Sequence, residues 1–327
     1  MADIIYSELL NIGIFVILAI SLNLINGFTG MFSLGHAGFF GVGAYAAMLY
    51  MNHFAPEVYS AAYWGHFAAG LCVGAALAGG AGFCVGMPCL RLTGDYLAIA
   101  TLAFAEILKV FLDSYRPDIF GGSKGLSLAV SKLEGQWAFW VIVAAIVLMT
   151  LLVRNLKNSA PGRAFLAIRE NEIAAQVMGM NTASLKVQAF VMGAAMAGVA
   201  GGLFAYSRNL IAPGDFGLMR TIMILLMVVL GGTGSISGSI VGALILGLTE
   251  TGVRYLPELG ALVTQNERVA YGLERAKENP QVIFALMLIV LIRLRPQGIL
   301  GMEEIGDLFR RRVRPANGNG PAREGRA

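Results

Sequence analysis

The sequence predicts an all-α fold: one polytopic membrane bundle of about nine transmembrane helices, with a further short helix outside the membrane. Three observations carry this. Of 327 residues 57% are hydrophobic, only 13% are charged, and the mean hydropathy is +0.69. A soluble domain holds about 25% charged residues because its surface must stay solvated. The apolar residues here are gathered into runs that approach the ~20 residues needed to cross a bilayer. Lys and Arg collect between the runs, and their two largest clusters fall on one side.

Taken in order, the predicted spans are 7–25, 33–51, 64–87, 96–115, 137–153, 187–206, 216–230, 236–253 and 281–294. The first is read as a retained helix, because Asp3 and Glu8 precede it where a signal peptide would carry basic residues. The second is rich in glycine. The third includes Cys72 and Cys84, with Cys89 just beyond; with no metal-ligand spacing, all three are read as small buried hydrophobes. The fourth carries Glu106 and Lys109, and the seventh carries Arg220, expected to snorkel toward the outer interface. The spans 216–230 and 281–294 are short enough to be tilted, broken or re-entrant.

Orientation follows from basic residues, which favour the cytoplasmic side. With the N-terminus outside, fourteen Lys and Arg fall in inner segments and eight in outer ones. An N-out, C-in arrangement is therefore expected. Residues 1–304 form the transmembrane domain, and 305–327 a basic tail too poor in apolar residues to bury a core. That tail is read as disordered and cytoplasmic, with anionic lipid as a possible contact. The net charge of +4 is assigned to this topology and not to a nucleic-acid partner.

Catalytic signatures are missing. His36, His53 and His66 have no second ligand at helical spacing, and no H-E-x-x-H or G-x-x-x-x-G-K-[ST] motif occurs. The chain is expected to bind no metal or cofactor, and to need another subunit if ATP drives it.

Residues 27–45, GFTGMFSLGHAGFFGVGAY, hold six glycines with Thr29, Ser33 and His36 among them. Each glycine lowers helix stability by roughly 0.8–1.0 kcal/mol relative to alanine. Two readings stand: close packing of neighbouring backbones, or a broken helix lining a polar cavity. A second stretch, GGTGSISGSIVG at 231–242, repeats Gly, Thr, Gly, Ser and Gly at matching offsets and includes Thr233 and Ser237. Glu106 and Lys109, three apart on one helix face, form either a structural ion pair or a polar patch along a route; Asn23 draws the same comparison. The candidate pathway residues are Asn23, Thr29, Ser33, His36, Glu106, Thr233 and Ser237.

Residues 161–180, PGRAFLAIRENEIAAQVMGM, are too polar to span. Pro161 marks a helix start, and Phe165, Ile168, Ala175 and Met178 outline an apolar face. This is either a surface helix on the membrane or a docking helix gripped by a soluble partner.

Several segments in order resemble one family. NGFTGMFSLGHAGFFGVGAYAA (26–47), GDYLAIATLAFAEI (94–107), GRAFLAIRENEIAAQVMGM (162–180), VVLGGTGSISGSIVGA (228–243) and RPQGILG (295–301) resemble the permease subunits of high-affinity branched-chain amino acid ABC importers, of the LivM type. The resemblance implies a transport subunit in a bacterial inner membrane, acting with a second homologous permease, two cytoplasmic ATPases that use ATP, and a periplasmic binding protein. Glu172, Ala174, Ala175 and Gly179 resemble the E-A-A-x-x-x-G core of the loop that engages the ATPases, although the I-x-L-P that often follows is absent. The implied coupling helix lies within 161–180, with Arg163, Arg169 and Glu170 as further contacts. The competing expectation is a stand-alone secondary transporter or channel for a small polar solute; an intramembrane enzyme is a third.

Overall fold

The computed structural model describes residues 2–55, 61–89, 92, 94–129, 135–263, 280–294 and 298–301. All nine predicted spans coincide with helices. These are α1 (Ala2–Asn26), α2 (His36–Phe54), α3 (Ala61–Cys89), α4 (Asp95–Ser114), α6 (Gly135–Asn158), α9 (Thr182–Ser207), α10 (Leu218–Gly231), α11 (Ile236–Val263) and α12 (Pro280–Leu294). Among the described residues, six helices are long and apolar enough to cross a membrane by themselves: α1, α3, α6, α9, α10 with its preceding turn, and α11. Of the other three, α2 is nearly enclosed by its neighbours, and α4 carries charge on an uncovered face. The third, α12, has only 15 residues.

The chain shuttles between two ends of the bundle. At one end Glu8 pairs with Arg254 (2.7 Å) and Arg208 reaches Asn11 (3.3 Å). The same end holds a two-residue antiparallel pair, Leu126–Ser127 with Leu210–Ile211, latched by Asn52, which donates to Ser127 O (2.8 Å). The short helix α5 (Pro117–Phe120) also lies here. At the opposite end are the α1–α2 and α10–α11 connections, together with α7 (Ala160–Glu170) and α8 (Glu172–Val177).

Helix α9 is the axle, packed against α1, α2 and α3. Its sequence, AFVMGAAMAGVAGGLFA at 189–205, supplies small residues wherever a neighbour crosses. A β-carbon on Gly43 of α2 would overlap the Gly198 backbone of α9, and one on Gly198 would overlap Gly74 O and Ala78 of α3. Three backbones thus touch at one level. Lipid supplies no hydrophobic drive between helices, so such close van der Waals contact is what holds them. Around it pack Phe39, Phe40, Phe190, Phe204 and Phe216, with ring centroids 5.2–5.4 Å apart where they meet in the Phe39–Phe190, Phe40–Phe204 and Phe40–Phe216 pairs.

Expectations for segment 161–180, for Cys72 and Cys84, and for Arg220 are corrected. Segment 161–180 is two helices, not one. Ser159 caps α7 by accepting from Gly162 N–H (3.3 Å), and Asn171 interrupts it and caps α8 by accepting from Ala174 N–H (3.0 Å). The break resets the helical phase, so Phe165, Ile168 and Ala175 are buried while Met178 turns outward. Cys72 and Cys84 lie exposed on the outer face of α3, not buried. Arg220 does not snorkel outward; it donates from Nε to Asp215 O (3.2 Å) and lies over the rings of Phe15 and Phe204. The tail at 302–327 lies outside the described residues.

Helix α10 starts deep. Its first turn lies beside Glu106 of α4, whose Oε1 accepts from Leu218 N–H (3.1 Å). From Glu106 to the end of α4 at Ser114 is eight residues, or about 12 Å at 1.5 Å per residue. The chain therefore dips inward over 208–217 before α10 begins, which explains why its apolar run is short.

Candidate functional site

The two glycine stretches meet. Helix α1 ends at Asn26 and α10 ends at Gly231, and the connections that follow are pinned together by Asn23. Its Nδ2 donates to Ser235 O (2.9 Å) and its Oδ1 accepts from Gly234 N–H (2.8 Å). One amide thus ties the end of α1 to two backbone groups of the α10–α11 connection, in a site where Asn23 is fully enclosed. At matching offsets, Gly30 has φ +70° and Gly234 has φ +95°, a backbone region that favours glycine. The echo between the stretches thus has a conformational counterpart at this pair of positions.

The short helices are wired into this junction. Arg169, at the end of α7, donates from Nη1 to Gly27 O (2.6 Å), lies across Gly30, and abuts Gly234. A single guanidinium therefore bridges both breaks, and as a charged donor it makes the stronger class of hydrogen bond. From α8, Glu172 pairs with Lys186 of α9 (2.5 Å). Between these contacts lies a cleft of about 270 Å³ lined by Thr29, Gly30, Leu92, Arg169, Glu172 and Lys186. Residues 298–301, within the RPQGILG segment, close the other side. Ile299 N–H donates to Leu230 O (2.9 Å) and Leu300 N–H to Gly231 O (3.2 Å), satisfying carbonyls that the end of α10 leaves without helical partners.

The sequence-predicted residues divide between four places. Asn23, Thr29, Arg169 and Glu172 lie at the junction. Thr29 donates to Ile25 O (2.6 Å), Thr233 is exposed at the turn, and Ser237 lies within 3.2 Å of Ser235 Oγ. Ser33 and His36 are buried deeper. His36 Nε2 and Ser21 Oγ form a hydrogen bond (2.7 Å), and Ser21 Oγ also lies 2.9 Å from Leu18 O. Glu106 of α4 is remote, beside the start of α10. On the short helices, Arg163 donates to Asn158 O (2.9 Å), Glu170 and Ala174 are exposed, and Ala175 is buried. Gly179 takes φ +84° and turns the chain toward α9.

Sequence reasoning missed the partners. Ser235, Ser21 and residues 298–301 lie far from the groups they bind, and no local pattern announces the pairing. Thr101, which accepts from Leu34 N–H (3.0 Å), is another. The usable signal was that each occupies a stretch with turn residues or polar atoms inside an apolar run.

Replacing Asn23 by leucine, similar in shape but without the amide, strands Gly234 N–H, whereas Ser235 C=O keeps the N–H and hydroxyl of Ser239. At ~1–3 kcal/mol for a buried group left unpaired, a loss of that size is expected. Thermal denaturation in detergent would read it.

The comparisons now bear on this geometry. The profile of the family described as "Branched-chain amino acid transport system / permease component" matches residues 4–292. The chain belongs to this family. Among its permease relatives is the high-affinity branched-chain amino acid transport system permease protein LivM of Escherichia coli, 32% identical over 319 residues, covering 88% of this chain and 68% of the relative. The probable LivM of Methanocaldococcus jannaschii is 26% identical over 335 residues (93% and 95%). LivH of E. coli is 28% identical over 309 residues (89% and 92%). No solved structure matches the chain. Permease components of this family are multi-pass membrane subunits of multi-subunit transporters, and the junction at Arg169 is the place where the short helices of this one reach its spans.

Proposed function

We infer that the chain is the transmembrane permease subunit of an ATP-binding-cassette importer carrying branched-chain or related amino acids across the bacterial inner membrane. The observation that carries the docking role is on α8. Ile173, Val177 and Met178 are 74%, 80% and 78% exposed, forming an apolar knob on a short helix between polar neighbours. Exposed apolar clusters of this kind mark interaction sites, and a helix seated in a partner's groove is a recurrent mode. The end that bears α7 and α8 is assigned to the cytoplasm, where two ATPase subunits would grip α8, bind the ATP and hydrolyse it. This chain then catalyses nothing itself.

The relatives favour a homologous partner permease, because both LivM and LivH of E. coli, two permeases named for one kind of system, resemble this chain. A periplasmic binding protein would deliver the substrate. Closure of the ATPases would push α8, and Arg169 would carry that push to the junction between α1 and α10. The pathway residues Asn23, Thr29, Ser33, His36, Glu106, Thr233 and Ser237 are proposed to flank or support the route.

The test is co-purification with the ATPases. With Ile173 and Val177 both changed to Asp, the chain is expected to insert and elute as the wild type does, but to lose its ATPases and leucine-stimulated ATP hydrolysis. Retention of both would sink the docking role. A purified chain that moves solute alone down an ion gradient would instead support the secondary-transporter reading.

A further inference from the structure

At the end opposite α7 and α8 a second cavity opens, of about 330 Å³, between α4 and the turn that precedes α10. It is lined by Lys109, Val110, Asp113, Ser123, Ala212, Pro213 and Gly214. This is the small end of the ~300–1,000 Å³ range of ligand pockets, sized for one small molecule. Its chemistry is amphipathic: an ammonium and a carboxylate one helical turn apart, beside a wall of Val110, Ala212 and Pro213.

Two features keep the charges available. Lys and Asp at this spacing would ordinarily pair with each other, yet each is held elsewhere. Lys109 Nζ stands 3.8 Å from Glu106 Oε2, and Asp113 Oδ1 accepts from Ser123 Oγ (2.7 Å). Lys109 also belongs to a helix that the sequence predicts to span, where an uncompensated charge is costly. Its side chain is nonetheless 39% exposed, so the face it occupies meets water or protein and not lipid. Gly214 borders the cavity, and a β-carbon there would meet nothing within 4 Å.

We propose that this cavity binds the free α-amino acid zwitterion, with its carboxylate on Lys109, its ammonium on Asp113 and its aliphatic side chain against Val110 and Pro213. The assignment rests on the importer reading and deepens it, because this end is then the outer one, where substrate arrives. Glu106 is a positioning residue in this site: it holds Lys109 and the first turn of α10 together.

The test uses the complete transporter in nanodiscs, without the binding protein, and follows leucine binding by saturation-transfer NMR. Lys109→Gln, Asp113→Asn and Gly214→Leu are each expected to weaken leucine binding about tenfold or more, the loss of one charge-assisted contact or of the space itself. 4-Methylpentanoate, which lacks the ammonium, is expected to bind weakly to the wild type, to be indifferent to Asp113→Asn, and to be weakened further by Lys109→Gln. Leucinamide, which lacks the carboxylate, should show the reverse. Unchanged leucine binding in all three variants, or no leucine binding by a wild-type complex that imports leucine, overturns the assignment. A wild-type complex that neither imports leucine nor hydrolyses ATP in response to it overturns the importer reading instead.

Discussion

Arg169→Ala is expected to cut leucine transport by the assembled importer at least ~10-fold while ATP hydrolysis continues. The guanidinium makes a 2.6 Å bond to Gly27 O and lies against Gly30 and Gly234. A hydrogen bond from a charged group contributes ~1.5–3 kcal/mol, or about 10- to 150-fold in an equilibrium between two arrangements. The alanine variant keeps α7 and α8, since their caps at Ser159 and Asn171 are local. The ATPases should therefore still dock and turn over, without moving the junction. Arg169→Lys, which retains the charge but cannot bridge two breaks with a planar fork, should recover only part of the rate. Transport and hydrolysis falling together, with the ATPases lost from the complex, would show that Arg169 serves docking and not transmission.

The second large effect is on the fold. Gly43→Ala is expected to destabilise the bundle by about 3 kcal/mol, at the upper end for overpacking a tight contact. The added methyl would overlap the Gly198 backbone, and α9 cannot retreat because Gly198 already rests on Gly74 O and Ala78. Gly65→Ala is the control, since a β-carbon at Gly65 meets nothing within 4 Å. Heating both variants in the same detergent and following monodispersity should separate them. Equal midpoints would mean that the three-helix contact does not hold the bundle together.

Much of this architecture was legible in the chain, for a physical reason. A bilayer forces every backbone group of a span to be satisfied within it, so long apolar runs such as 7–25 announce helices with little ambiguity. The glycine stretches were legible as places of unusual backbone. Gly43 serves close packing, whereas Gly30 and Gly234 shape a break. What could not be read was pairing at a distance. Asn23 and Gly234 are separated by 211 residues, and a single polar residue in an apolar run does not say which loop it will hold. The interruption at Asn171 was hidden for another reason. Asn can sit inside a helix or cap the next one, and only the geometry of the Ala174 N–H decides between them. The early reading of Met178 as part of the buried face failed with it.

The depth at which α10 begins has a consequence for how the two ends communicate. Glu106 fixes one terminus of this helix and the Asn23–Gly234 clamp fixes the segment just beyond the other. Between them lie 14 residues, a strut of about 21 Å at 1.5 Å per residue. Its length is set by helical geometry, so it can tilt or slide but not stretch. A shift imposed at the Arg169 end must reappear at the Glu106 end, within a turn of Lys109. Opening at one membrane face and loosening at the other then become two readings of a single lever's position.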